Sequence, residues 1–138
     1  MTTRTGRGAM AGVVSGADGR LAVIAGPCSI HDPAATLEYA DFVRQMRSRH
    51  REDLEIVMRT YTEKPRTEVD RKGFAYDPYL DGSNRISVGL IATRMLMCRI
   101  TAMGVPVAAE PLNALTPQYV DGPVTYNGVG ARNVTDQT

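Results

Sequence analysis

Short apolar segments alternate with longer amphipathic ones along most of this chain of 138 residues. Residues 21–25, LAVIA, are apolar at every position, which is typical of a parallel strand buried on both faces. Apolar segments at residues 54–60, 105–110 and 124–132 predict three further strands. The pattern therefore predicts a sheet whose strands are covered on both sides.

Amphipathic helices are predicted between these strands. In residues 33–50, apolar side chains recur on one side of a helix at Leu37, Ala40, Val43 and Met46. Residues 87–103 predict a second helix, and the Thr-Pro pair at residues 116–117 begins a brief third one. The resulting order, β-α-β-α-β-α-β, is typical of a parallel α/β sheet, either doubly wound or part of a (β/α)8 barrel.

Local signals mark the ends of these helices. Asp32 is a good N-cap residue, and Pro33 suits the first helical position because it has no N–H group to leave unpaired. Gly104 follows the second predicted helix, where a residue with positive φ commonly ends a helix. Both signals agree with the boundaries that the apolar pattern predicts.

Composition excludes several classes of protein. The chain is 43% hydrophobic and 22% charged, with a net charge of +1, which argues against a disordered protein and against a nucleic-acid binder that works by bulk charge. No apolar run is long enough to span a membrane, and residues 1–20 lack the apolar core of a signal peptide. We therefore expect a cytoplasmic protein with a flexible leader at residues 1–20 and one domain at residues 21–138.

Reactive side chains follow the predicted strands at the point where each strand ends. Cys28, Arg59, Glu110 and Arg132 each lie at or just past the carboxyl end of a different strand. A barrel active site is built from such strand ends, so this regularity favours a barrel over a doubly wound sheet. No GxGxxG turn follows the first strand, which also argues against a dinucleotide-binding unit.

The second strand leads directly into a basic segment. Arg59, Lys64 and Arg66 gather positive charge at one strand end, and Pro65 stiffens the backbone between the last two. Guanidinium and ammonium groups placed in this way favour an anion such as a phosphate or a carboxylate. The alternative is a solvated basic loop without a ligand.

Two other candidate residues have structural alternatives. Cys28 could be a small buried apolar residue, although its place directly after a strand favours a ligand role. Glu110 could form an ion pair with Arg59 or Arg132 across neighbouring strand ends instead of having a chemical role.

Long motifs in this sequence resemble class I 3-deoxy-D-arabino-heptulosonate 7-phosphate (DAHP) synthase. They are AGPCSIHD at residues 25–32, VMRTYTEKPRT at residues 57–67, KGFAYDPYLDGS at residues 72–83 and GVGAR at residues 128–132. The resemblance implies a (β/α)8 TIM barrel, of which this chain holds roughly the first four βα units. Residues 21–138 would then form a partial DAHP synthetase I type barrel domain, a half-barrel.

The resemblance also implies an activity. The family is a transferase that condenses phosphoenolpyruvate with erythrose 4-phosphate to give DAHP and phosphate, the first step of the shikimate pathway to aromatic amino acids. The family uses a divalent metal, namely Mn²⁺, Fe²⁺, Co²⁺ or Zn²⁺. By matching position, the resemblance implies metal binding for Cys28 and phosphoenolpyruvate binding for Arg59, Lys64 and Arg132. It implies that Arg66 and Thr67 bind the phosphate of erythrose 4-phosphate. The implied catalytic residues are Lys64 and Glu110.

The chain departs from the family pattern in its length. A (β/α)8 barrel needs about 250 residues, and the remaining metal ligands of the family, a His, a Glu and an Asp, have no match here. We therefore expect an incomplete metal site, little or no activity of this chain alone, and self-association or a complementing half. The alternative is a non-catalytic phosphate-binding or regulatory half-barrel module.

Overall fold

The computed structural model of the protein describes residues 1–64, 73–112 and 116–128. Helices and strands alternate along these residues. In chain order they are α1 (Thr2–Val14), β1 (Leu21–Ala25), α2 (Pro33–Arg49), β2 (Leu54–Arg59), α3 (Ile86–Ala102), β3 (Val107–Ala109), α4 (Thr116–Val120) and β4 (Val124–Asn127). Among the described helices, none is long and apolar enough to cross a membrane.

The four strands form one parallel sheet in the order β1-β2-β3-β4. Leu21 lies opposite Leu54, Met58 opposite Val107, and Val107 opposite Val124. Each strand therefore pairs with the next one along the chain, without the reversal of strand order that defines a doubly wound sheet. This is the arrangement of one half of a (β/α)8 barrel, which confirms the predicted fold class.

The main core lies between the sheet and the helices that connect its strands. Alternate strand residues point toward this layer, as the two-residue period of a strand requires. The largest cluster of buried apolar residues includes Ala40 and Val43 of α2, Leu96, Met97 and Ile100 of α3, and the strand residues Ile56, Met58, Val107, Ala109 and Val124. Residues of β2, β3 and β4 are thus buried on this face, as their apolar runs predict. The prediction that residues 21–25 are buried on both faces is wrong, because β1 pairs only with β2 among the described strands and leaves Leu21 66% and Ile24 38% exposed.

The caps of the helices agree with the sequence signals. The Oδ1 atom of Asp32 accepts hydrogen bonds from the backbone N–H groups of Ala34 at 2.8 Å and Ala35 at 3.3 Å. Gly104 has a φ of 87° just after α3. The third strand is shorter than predicted, because Pro106 has no N–H group for the ladder. The fourth strand ends at Asn127, Gly128 lies outside it, and residues 129–132 of the predicted strand lie outside the described residues.

The prediction of a flexible leader at residues 1–20 is wrong, because residues 2–14 form α1. Arg7 of α1 donates hydrogen bonds through Nε to Val124 O at 3.0 Å and through Nη2 to Asp121 O at 2.8 Å. Met10 is buried against Val57 and Ala108 on the sheet face that α2 and α3 leave open. Packing therefore stabilises a helix whose threonine and glycine content alone would not.

A buried carboxylate joins three segments of this fold. Glu55 of β2 has a side chain only 3% exposed, and its two oxygens accept hydrogen bonds from Arg20 and Arg47, both at 2.8 Å. Arg20 also pairs with Asp18, and its hydrogen bonds hold the pKa of that carboxyl below its usual value. The segment after α1, the end of α2 and the start of β2 are thereby tied together at the amino ends of the strands.

We expect Gly6→Ala to lower the free energy of unfolding by roughly 1–3 kcal/mol, because α1 has no room for a methyl group there. A Cβ atom at Gly6 would lie 2.9 Å from both Pro106 Cβ and Thr125 Cγ2. The matched control is Gly8→Ala in the same helix, where a Cβ atom meets nothing within 4 Å and should stabilise the helix by up to about 1 kcal/mol. Urea denaturation measures both changes. Equal stability of the two variants would contradict the docking of α1.

Candidate anion-binding site at the carboxyl ends of the strands

Arg59, the last residue of β2, is fixed against the loop that follows β1. Its Nε atom donates to Gly26 O at 3.1 Å and to Pro27 O at 3.0 Å, and its Nη2 atom donates to Gly26 O at 2.5 Å. The two backbones approach so closely that a Cβ atom at Gly26 would lie 2.7 Å from Arg59 O. The guanidinium group is thus held in place before any ligand arrives, and Nη1 is the nitrogen that makes none of these bonds.

Tyr61 lies beside Arg59 and links several strand ends. The Arg59 Cζ atom is 5.4 Å from the centroid of the Tyr61 ring, which is a cation–π contact. The backbone oxygen of Tyr61 accepts a hydrogen bond from Ile30 N at 2.9 Å, so the loop after β2 is tied to the loop after β1. Sequence analysis gave Tyr61 no role, although it stands inside one of the motifs that carry the resemblance.

The charges around Tyr61 locate other candidate residues. Burial raises the pKa of the Tyr61 phenol, and the negative charge of Glu110 raises it further. The positive charge of Arg59 acts in the opposite direction, and Cys28 adds a smaller upward effect. Residues from the ends of β1, β2 and β3 are therefore close enough to Tyr61 to interact electrostatically.

Cys28 and Lys64 line the same cleft. The cleft has a volume of about 360 Å³, and His31 and Phe74 also line it. Cys28 is exposed, so the alternative that it is a small buried residue is wrong. The structure thus brings the predicted metal ligand and the predicted substrate-binding lysine to one cavity.

Of the remaining predicted site residues, Glu110 lies within the described residues. In the described ranges, Glu110 forms no ion pair with Arg59, so that structural alternative is wrong for this pair. Arg66, Thr67 and Arg132 lie outside the described residues. The roles given to all of these residues stay predictions.

A buried acid next to Lys64 was missed by sequence analysis. Glu63 is 4% exposed, and its Oε2 atom accepts from Leu112 N at 2.8 Å. Its Oε1 atom accepts from Thr116 Oγ1 at 2.6 Å and from Tyr76 Oη at 3.2 Å. Glu63 therefore joins the loop after β2 to the segment after β3, to α4 and to the loop that follows residue 72. An acidic residue within a basic motif was the only sequence signal for this contact.

Metal binding finds limited support among these side chains. A catalytic metal site uses about three protein ligands and one open position. Within residues 1–64, 73–112 and 116–128, no group of three or more His, Cys, Asp or Glu residues could hold a metal ion. The described residues thus do not fit a complete metal site, and metal binding by Cys28 stays a prediction.

Comparison with known proteins gives the family. The sequence model described as the DAHP synthetase I family matches residues 3–138, nearly the whole chain. The chain belongs to the DAHP synthetase I family. This match confirms the family that the motifs resemble.

Relatives in this family carry one name. The chain is 42% identical over 136 residues to a phospho-2-dehydro-3-deoxyheptonate aldolase of Amycolatopsis methanolica, which covers 99% of this chain and 67% of that protein. It is 44% identical over 125 residues to the Haemophilus influenzae aldolase of that name, covering 91% of this chain and 34% of that protein. The Trp-sensitive aldolase of Escherichia coli K12 is 45% identical, again over 91% of this chain but 36% of its own length.

A solved structure has the same fold. The phospho-2-dehydro-3-deoxyheptonate aldolase of Francisella tularensis SCHU S4 aligns with a TM-score of 0.94 and 46% identity over 99% of this chain and 40% of its own. The DAHP synthetase I chain described here therefore spans a third to two fifths of the length of the Haemophilus, Escherichia and Francisella proteins.

We expect Glu63→Ala to lower the free energy of unfolding by roughly 2 kcal/mol or more, because it removes the acceptor for one buried amide and two hydroxyl groups. Glu63→Gln should cost less, since its carbonyl can accept from Leu112 N while its amide donates to the hydroxyls of Thr116 and Tyr76. Urea denaturation measures stability, and hydrogen exchange of the Leu112 amide measures the local effect. Glu52→Ala, at a side chain 83% exposed, is the control and should change stability little.

If Glu63→Ala left both the unfolding free energy and the exchange rate of the Leu112 amide unchanged, Glu63 would not hold these segments together.

Proposed function

We propose that this chain supplies the phosphoenolpyruvate-binding part of a DAHP synthase. The reaction condenses phosphoenolpyruvate with erythrose 4-phosphate and consumes water, giving DAHP and inorganic phosphate. One observation supports the proposal most directly. Cys28, Arg59, Lys64 and Glu110 lie at or just past the carboxyl ends of three parallel strands, in a chain that belongs to the DAHP synthetase I family.

The chemistry of the donor substrate fits these side chains. Phosphoenolpyruvate carries a carboxylate and a phosphate close together, so its binding requires several positive groups at once. Arg59 offers a guanidinium group already oriented by Gly26 and Pro27, which reduces the conformational entropy lost on binding. Lys64 adds a compact charge that can approach a reacting centre more closely.

Neutralising both substrates is the main contribution that we assign to the basic residues. Two phosphorylated molecules repel each other when they are brought together, and a basic site reduces that repulsion before the carbon–carbon bond forms. We assign Arg66 and Thr67 to the phosphate of erythrose 4-phosphate and Arg132 to phosphoenolpyruvate, as the resemblance implies. Glu110 and Lys64 are the proposed catalytic residues, and the proposed location of the reaction is the cytoplasm.

The remaining parts of the site would come from elsewhere. Among the described strands, β1 and β4 each pair with only one neighbour, so a further strand can pair with the outer side of each. We propose that the other barrel units come from a complementing polypeptide or from self-association. A divalent metal belongs to this proposal as a group that Cys28 would help to bind, and we assign no step to it here.

A second candidate is a phosphate-binding module without catalysis. It is favoured by one observation, namely that the described residues provide basic groups at the strand ends but no complete metal site. Such a module would recognise the phosphate group alone, whereas a synthase site must also recognise the carboxylate of phosphoenolpyruvate.

We expect the purified chain to bind phosphoenolpyruvate more tightly than inorganic phosphate and to release little phosphate when both substrates and Mn²⁺ are added. Calorimetric titration measures the two affinities, and a phosphate-release assay measures turnover. Equal affinity for the two ligands would favour the phosphate-binding module. Phosphate release at an ordinary enzymatic rate would contradict the expected inactivity of the chain alone.

We expect Arg59→Ala to weaken phosphoenolpyruvate binding about tenfold or more, because a hydrogen bond to a charged group contributes about 1.5–3 kcal/mol. Arg59→Lys keeps the charge but loses the forked donors. Its affinity for phosphoenolpyruvate should therefore lie between those of the unchanged chain and Arg59→Ala. Arg44→Ala is the matched control, since it removes the same charge from a side chain that is 52% exposed on α2.

Calorimetry measures affinity, and urea denaturation confirms that each variant is folded, because Arg59 also bonds the loop after β1. An equal loss of affinity in Arg44→Ala and Arg59→Ala would indicate attraction by net charge instead of a specific contact.

A further inference from the structure

Tyr61 extends along the edge of the sheet from β2 toward β4. Its ring lies against the guanidinium group of Arg59, while its hydroxyl oxygen would be 3.8 Å from a Cβ atom built on Gly128. Gly128 directly follows β4, and its N–H group donates to Ala109 O at 2.9 Å. The phenol therefore reaches across the end of β3 at the level where the candidate site lies.

The hydroxyl group of Tyr61 has no hydrogen-bond partner among the described residues. Its ring position is fixed by the cation–π contact with Arg59, and its backbone oxygen is bonded to Ile30 N. Tyr61 is half-buried, and its hydroxyl is not one of the buried unpartnered atoms of the described residues, so it is free to donate to water or to a ligand. A residue needed only for packing would serve equally well as phenylalanine, which has no such group to satisfy.

This hydroxyl is a neutral hydrogen-bond donor. Any tyrosine phenol is protonated at neutral pH, and burial and the negative charge of Glu110 raise the pKa of Tyr61 further. A neutral donor can approach an anion without adding to the repulsion that another negative group would cause. Its neighbours Arg59 and Glu110 are the side chains that the proposed function already places at the substrate.

We propose that the Tyr61 hydroxyl donates a hydrogen bond to bound phosphoenolpyruvate and is thus an additional substrate-binding residue. This inference rests on the proposed function, because it requires the anion site at the strand ends to bind phosphoenolpyruvate. The hydroxyl acts beside the Arg59 guanidinium, and the cation–π contact holds the two donors in a fixed relation to each other.

The test compares Tyr61→Phe with the unchanged chain by calorimetric titration with phosphoenolpyruvate. The substitution keeps the ring and its contact with Arg59 and removes only the donor, so affinity should fall about tenfold while the unfolding midpoint in urea stays within error. Tyr119→Phe is the matched control, because Tyr119 is an exposed tyrosine on α4 and should keep full affinity.

A second measurement follows the unchanged sequence and uses the folded variant only to assign one signal. In protein labelled with ¹³C at the tyrosine ζ carbon, phosphoenolpyruvate should shift the Tyr61 resonance, identified as the signal that is lost in Tyr61→Phe. The resonance of Tyr119 should stay in place.

The outcomes separate this inference from the proposed function. If the unchanged chain binds phosphoenolpyruvate and Tyr61→Phe binds it within twofold, the inference is wrong while the proposed function stands. If the unchanged chain shows no binding and no shift of the Tyr61 resonance, both are wrong. A tenfold loss confined to Tyr61→Phe, together with the shift, would support both.

Discussion

Parallel pairing of the four strands is the constraint on which the rest of the structure depends. Because every strand runs in the same direction, every carboxyl end lies at one edge, and side chains distant in sequence become neighbours there. Cys28 and Arg59 are separated by a complete helix, yet Arg59 bonds the carbonyl oxygens of Gly26 and Pro27. The site is thus a consequence of sheet topology, and the loops adjust what the strands have already brought together.

How well each helix or strand could be predicted depends on how many residues of its own sequence indicate it. The first two strands and the two long helices were predicted closely because runs of apolar residues define them, and α2 differs from its prediction by one residue at its end. The ends of β3 and β4 were predicted less well, because apolar residues also continue past the ladder. The first helix was missed because its threonines and glycines give a weak helical signal. Its position depends on contacts with Val124 and Thr125, which are distant in sequence. No local pattern contains that information.

Some residues of the candidate site were predicted from the sequence, and others were missed. Arg59 and Cys28 were predicted because their residue types suggest chemistry and because they stand at strand ends. Tyr61 and Glu63 stand in the same motif as Arg59, but their contacts depend on partners from other segments. Leu112, for example, donates to Glu63 across an interval of 49 residues. A single sequence indicates which residue types could react, whereas the contacts that orient them become visible only in three dimensions.

The two ends of the sheet differ in how completely their charges are paired. At the amino ends, Glu55 is almost fully buried and has an arginine partner on each oxygen. At the carboxyl ends, Arg59 keeps one nitrogen outside its carbonyl bonds, and the Tyr61 hydroxyl has no partner among the described residues. Paired charges stabilise the fold, while unpaired donors remain available for a ligand. The unpaired donors at the carboxyl ends can therefore be replaced with little loss of stability, in keeping with a barrel whose carboxyl ends carry the chemistry. Glu63 is the exception at these ends, because it is buried and its carboxylate accepts hydrogen bonds from other segments.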